Sequence, residues 1–156
     1  MTAAAGMEKT TPMRFASIAA GVCLLAAAGA RAAPSCKNLG ASLTFGPAGY
    51  NVYSPADVTQ VGSITYSCPP PTAAVVSLSA SGNGAYRPRQ MISGANTLNY
   101  EVYFDAALTI VWGVGADSHP VAAGNGATVP LYGRIFALQD AAVGTYSDTI
   151  TVTFNF

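Results

Sequence analysis

The chain has 156 residues, 51% hydrophobic and 9% charged, with seven basic residues against seven acidic. That charged share is about a third of the ~25% usual in soluble domains, which argues against a cytosolic enzyme surface and against a solvated disordered chain. The neutral balance leaves no phosphate-tracking footprint and argues against nucleic acid as a partner, while the length allows one domain, or one domain behind a removable leader.

The leader comes first. Lys9 and Arg14 precede an apolar run from Phe15 to Gly29, and Ala30-Arg31-Ala32 offers the small-x-small pattern that signal peptidase reads. Residues 1–32 are therefore expected to be a signal peptide and 33–156 a single β-sandwich domain; a buried helix of the mature domain is the other reading of the run. Fifteen alanine-rich residues fall short of the ~20 that cross a bilayer, so no stable membrane span is expected. Cys23 reads as a bystander, because Val22 stands where a small residue must precede a lipidated cysteine. The expected route is export. Cleavage after Ala32 leaves 124 residues with a net charge of −2.

The mature chain keeps Cys36 and Cys68. In an oxidising compartment two cysteines read as one disulfide, with two free thiols as the alternative. Closing a loop of about 30 residues would contribute ~3–4 kcal/mol on the chain-entropy model. A single histidine leaves any zinc site short of the four ligands it usually takes.

Strands then follow one another. A first strand is expected from about Lys37 to Phe45, with Leu43 and Phe45 alternating against Ser42 and Thr44. It returns as Val61 to Ser67, where Ile64, Tyr66 and Cys68 share a face. If the two pair antiparallel, the start of one lies beside the end of the other, which brings Cys36 and Cys68 into bonding range. Val76 and Leu78 mark a third strand. Leu98, Tyr100, Val102 and Phe104 alternate against Asn99, Glu101 and Tyr103, and Val129, Leu131 and Ile135 mark another strand. The most regular segment is the last: Tyr146, Ile150, Val152, Phe154 and Phe156 on one face, interrupted by Asp148, with Ser147, Thr149, Thr151, Thr153 and Asn155 on the other. Gly-, Pro- and Asn-rich clusters separate these runs. About seven short strands in some 120 residues point to an antiparallel, immunoglobulin-like sandwich.

Taken in order, Cys36, the run LTFGPAGYNVYSP, GSITYSC, Arg89-Gln90-Met91, LNYEVYFD, WGVG from Trp112, PLYGRI and the closing GTYSDTITVTF resemble the spore coat protein U family. That family is the subunit domain of secreted pili assembled by the archaic chaperone–usher route. The likeness covers about Cys36 to Phe156, and departs from the family at Val114 and in the turn FALQD. It implies an all-β, incomplete immunoglobulin-like antiparallel β-sandwich of six to seven strands whose final strand is missing. The residues alone say only that a regular apolar terminal strand needs a covering partner; a sandwich closed by its own strands is the other reading. The implied partners are a periplasmic chaperone, an outer-membrane usher and a neighbouring pilin subunit that donates a β-strand. The expected partner-strand groove is formed by Tyr146, Ile150, Val152, Phe154 and Phe156. Only Ala33, Pro34 and Ser35 would precede Cys36 after cleavage, so the donating extension of shaft subunits is missing and a terminal, tip position is expected.

Enzymatic chemistry has little to stand on. His119 lies in a loop without a recognisable nucleophile motif, Glu101 sits on the polar face of its strand, and Asp105 and Asp117 read as turn residues. No catalytic, cofactor-binding or metal-binding residue is expected. The second function class is a secreted adhesive or carbohydrate-binding module, using the cluster Tyr86 to Gln90 and Trp112 as a surface patch. Against it stand a solvated turn for the arginines and a core or edge position for the tryptophan.

Overall fold

The computed structural model describes residues 35–46 and 49–156, together with the backbone of Thr2–Ala4. The expected signal peptide otherwise lies outside the described residues. Among them, nine strands form two sheets: β1 (Thr2–Ala4), β2 (Lys37–Ser42), β3 (Val58–Cys68), β4 (Ala74–Leu78), β5 (Arg89–Ser93), β6 (Asn96–Tyr103), β7 (His119–Val121), β8 (Gly124–Ile135) and β9 (Thr151–Asn155). One sheet has the order β1-β9-β4-β7 and the other β2-β3-β8-β6-β5. All pairings are antiparallel except β1 with β9. The architecture is an all-β, immunoglobulin-like sandwich.

The period-two pattern decides what lies between the sheets. Ala74, Val76 and Leu78 of β4 point inward, as do Leu98, Tyr100 and Val102 of β6 and Leu131 and Ile135 of β8. Val152 and Phe154 of β9 complete this core, Phe154 packing its ring on Tyr66 at 5.5 Å. Each fully buried aliphatic or aromatic side chain contributes about 1.5–3 kcal/mol. Cys36 and Cys68 are bonded, with Cα atoms 4.3 Å apart, beside the Lys37–Ser67 pair of the β2–β3 ladder.

Three expectations change. The first strand stops at Ser42 rather than Phe45. Leu43 and Phe45 turn over two glycines of the neighbouring strands: a Cβ on Gly133 would meet Leu43 Cδ2 and Phe45 Cζ at 2.7 Å, and one on Gly62 would meet Leu43 Cα at 3.0 Å. The missing side chains leave the space that these two residues occupy.

The last strand is also shorter. Only Thr151–Asn155 are in the ladder. Upstream, Ser147 exchanges backbone hydrogen bonds with Ile92 of β5, in the other sheet, whereas Thr151 accepts from Ser79 N at the end of β4. The chain changes sheets between them at Asp148, whose carboxylate accepts from Gly82 N (2.8 Å), Thr149 N (2.7 Å) and Tyr100 Oη (2.6 Å). The alternation runs on through a segment whose backbone partners have changed.

The third change is Glu101. It is 2% exposed, not solvated, and pairs with Arg89, itself fully buried. Loops cover a strand face that alternation alone assigns to water.

Candidate functional site

On one side β9 pairs with β4; on the other it carries, among the described residues, only the three-residue β1, parallel to it from Thr2–Thr151 to Ala4–Thr153. β1 also comes close to β2, the edge strand of the opposite sheet. β9 and β2 thus border a groove at the same side of the sandwich. Ahead of β9, between Ile150 and the end of β2 at Ala41 and Ser42, lies a cleft of about 1200 Å³. Leu43 and Phe45 line it from the β2 side, Met91, Leu98 and Tyr100 from β5 and β6, and Ile150 from the approach to β9.

Tyr146 and Ile150 of the expected set line this cleft. Ile150 is buried, and Tyr146 is half-buried, its hydroxyl donating to Ala142 O at 2.8 Å. Val152 and Phe154 continue the row inside the core, beneath the β9 edge. Phe156 departs from the row: it lies past the end of β9 and is 48% exposed. Leu43, Phe45, Met91, Leu98 and Tyr100 were absent from the expected groove. The alternation placed most of them on apolar faces, but which faces meet is settled by the crossing of the chain from one sheet to the other.

The polar groups at the cleft hold its shape. The Tyr100 phenol is buried and donates to Asp148, and burial followed by that carboxylate pushes its pKa far above the usual phenol range, so it remains a donor. Tyr50 Oη accepts from Gln139 N at 2.5 Å, and Gln139 in turn accepts from Asn99 N at 2.7 Å and donates to Asn99 O at 2.8 Å. Those bonds tie the loop around Tyr50 to the loop after β8 and to β6. No sequence signal marks such a brace, because its members are 40 and 89 residues apart.

The residues considered for chemistry are engaged elsewhere. Trp112 is fully buried, donating Nε1–H to Val76 O at 3.0 Å, and Arg89 donates to Ser79 O, Leu78 O and Trp112 O as well as to Glu101. The patch of Arg89 and Trp112 is therefore not at the surface; of that cluster only Arg87 presents a guanidinium, paired with Asp117 at 2.5 Å. Asp105 closes its turn by accepting from Thr109 N, Thr109 Oγ1 and Ile110 N. Desolvation would raise its pKa, but the hydrogen bonds from Ile110 and Thr109 together hold it below the usual carboxylate value. His119 lies in β7 rather than a loop, stacked on Phe104 at 4.2 Å. No helix of the described residues is long and apolar enough to cross a membrane.

Known proteins are similar in sequence and fold. The chain is 30% identical to Protein U of Myxococcus xanthus over an alignment 169 positions long, which takes in all of this chain and 94% of that protein. Its fold matches the crystal structure of the CsuC–CsuE chaperone–tip adhesion subunit pre-assembly complex from archaic chaperone–usher Csu pili of Acinetobacter baumannii, with a TM-score of 0.54 and 22% identity. That match covers 80% of this chain but only 40% of the matched chain. The family model for the Spore Coat Protein U domain matches residues 22–153, beginning inside the expected leader and running through both bridged cysteines into β9, and the chain belongs to that family.

Proposed function

We propose that the chain is an exported structural subunit of a surface pilus or coat-like fibre, assembled by donor-strand complementation, with no enzymatic role. The observation that carries this reading is the cleft of about 1200 Å³ that lies just ahead of β9, between Ile150 and the end of β2. Thr2–Ala4, which pair with the β9 edge, belong to the expected leader; removed with it, they would leave an open strand edge, a template for a further strand. A donated strand supplies main-chain hydrogen bonds to the edge and alternate side chains to the space beneath. Leu43, Leu98, Tyr100 and Ile150 would receive those side chains at one end, above the row continued by Val152 and Phe154.

The fold shared with a chaperone–subunit pre-assembly complex supports a periplasmic chaperone as the first occupant, with an outer-membrane usher and a strand-donating neighbour following. The finer placement is a fibre terminus. Cleavage after Ala32 leaves three residues before Cys36, reaching ~10 Å extended, while a donor strand spans roughly five residues or more. The bridge to Cys68 holds Cys36 on the domain, so such a subunit accepts a strand and has none to lend.

Co-expression tests the reading. With a chaperone of the archaic chaperone–usher class, the exported chain is expected as a soluble one-to-one complex; without it, the chain is expected to aggregate or be degraded. A stable monomer that exports alone and binds neither chaperone nor donor peptide would overturn the proposal. Long homopolymers made by insertion of the chain's own 33–45 segment would overturn the terminal placement alone.

A further inference from the structure

We propose that the outer face of the five-stranded sheet carries a second binding site, separate from the strand groove, and that it takes a neutral saccharide. A cleft of about 710 Å³ opens there, lined by Arg87, Glu101, Tyr103, Ile110, Asp117 and Phe136. None of these residues lines the larger cleft beside β9. The volume lies within the range of small-molecule sites.

The floor holds an unspent acceptor. Glu101 has a side chain only 3% exposed, and both hydrogen bonds it accepts, from Arg89 Nη1 and Val102 N, go to Oε1. Oε2 takes no hydrogen bond from the described residues and is not one of their buried unpartnered atoms, so it is an acceptor open to solvent at the cleft. A ligand hydroxyl at the floor would donate to it.

The wall holds a fixed donor. Arg87 is half exposed and is tied to Asp117 at 2.5 Å, and Asp117 also accepts from Tyr86 Oη at 2.8 Å. Arg87 has a φ of 56°, in the left-handed region that residues with a side chain rarely adopt. Surrounding contacts must hold it there, and sites of that kind concentrate where a group is presented for use.

Charge and shape choose the ligand class. Two guanidinium groups, Arg87 and Arg89, face two carboxylates, Glu101 and Asp117, so the cleft favours neither a cation nor an anion. It offers one open acceptor, one positioned donor and the apolar surfaces of Ile110 and Phe136. A pyranose matches that set: hydroxyls that donate and accept, and a face of C–H groups. A site built to pair hydroxyls discriminates strongly against ligands that lack them.

The test uses the full mature chain, held complemented by a donor peptide or its chaperone. Lactose, maltose and cellobiose are titrated by calorimetry and saturation-transfer NMR, with sialyllactose and a chitosan oligomer as charged comparisons. Saturable one-to-one binding of at least one neutral disaccharide is expected. Arg87→Ala, and separately Ile110→Trp to fill the cleft, should each weaken it at least tenfold while donor-peptide binding and the unfolding midpoint stay unchanged. No saturable binding, binding that survives both substitutions, or tighter binding of a charged sugar would overturn the proposal. Each of those results leaves strand capture intact and so does not bear on the function proposed above.

Discussion

Replacing Glu101 with Leu should cost more than any exposed substitution. Arg89 and Glu101 are 0% and 2% exposed. Besides Glu101, Arg89 donates to Ser79 O at 3.0 Å, Trp112 O at 2.9 Å and Leu78 O at 3.3 Å, which fastens β5 to the end of β4 and to the segment around Trp112. Glu101→Leu leaves that guanidinium buried without a counter-charge and removes the acceptor from Val102 N. Breaking a buried pair in this way costs about 3–5 kcal/mol, a large part of the ~5–15 kcal/mol that keeps a domain folded. Trp112 is the only tryptophan and is fully buried, so its fluorescence reports global unfolding. With a urea m-value of ~1.5 kcal/mol/M, the midpoint should fall by roughly 2–3 M. The measurement holds a saturating donor peptide constant, because a ligand of the folded state shifts the midpoint by mass action. Arg89→Met combined with Glu101→Leu should recover most of the loss, since removing both charges leaves no uncompensated ion. A single-substitution cost below about 1 kcal/mol, or a double variant no better than Glu101→Leu, would refute the reasoning.

Val152→Asp or Phe154→Asp, each placing a charge into the buried row of β9, should abolish chaperone capture and lead to degradation in a pulse-chase, whereas Thr151→Ser and Thr153→Ser should be tolerated; equal loss from both sets would contradict the assigned face. Removing the bridge with Cys36→Ala and Cys68→Ala should cost about 3–4 kcal/mol for its 32-residue separation, and alkylation followed by mass spectrometry should find no free thiol in the exported wild-type chain. Gly133→Ala should displace Leu43 and Phe45, which its Cβ would meet at 2.7 Å, costing ~1–3 kcal/mol and weakening donor-peptide binding. Gly82→Ala, with nothing nearer than 3.6 Å, should leave peptide binding unchanged.

Much of the sandwich was legible because period-two alternation is a local property. The inward rows of β4, β6, β8 and β9 and the bridge joining β2 to β3 follow from residues read in sequence. Alternation names a face but not what covers it. That is why Glu101 was assigned to water and Leu43 and Phe45 to a strand, and why the sheet change at Asp148 left no mark in the pattern. The groove was half legible for the same reason: its expected row is broken at Asp148 and lost at Phe156, while Met91, Leu98 and Tyr100 reach the cleft only through long-range packing.

Hydrogen exchange of the β9 backbone tests the strand-accepting groove most directly. Amides of Thr151–Asn155 and of the Tyr146–Ile150 approach would be followed by mass spectrometry in the mature chain alone and with a peptide from the N-terminal donor segment of an archaic pilus shaft subunit. Slowed exchange is expected there and along β2, with β7 and its far edge unchanged. Unaltered exchange at β9 and β2 under saturating peptide, or protection appearing first at β7, would contradict it.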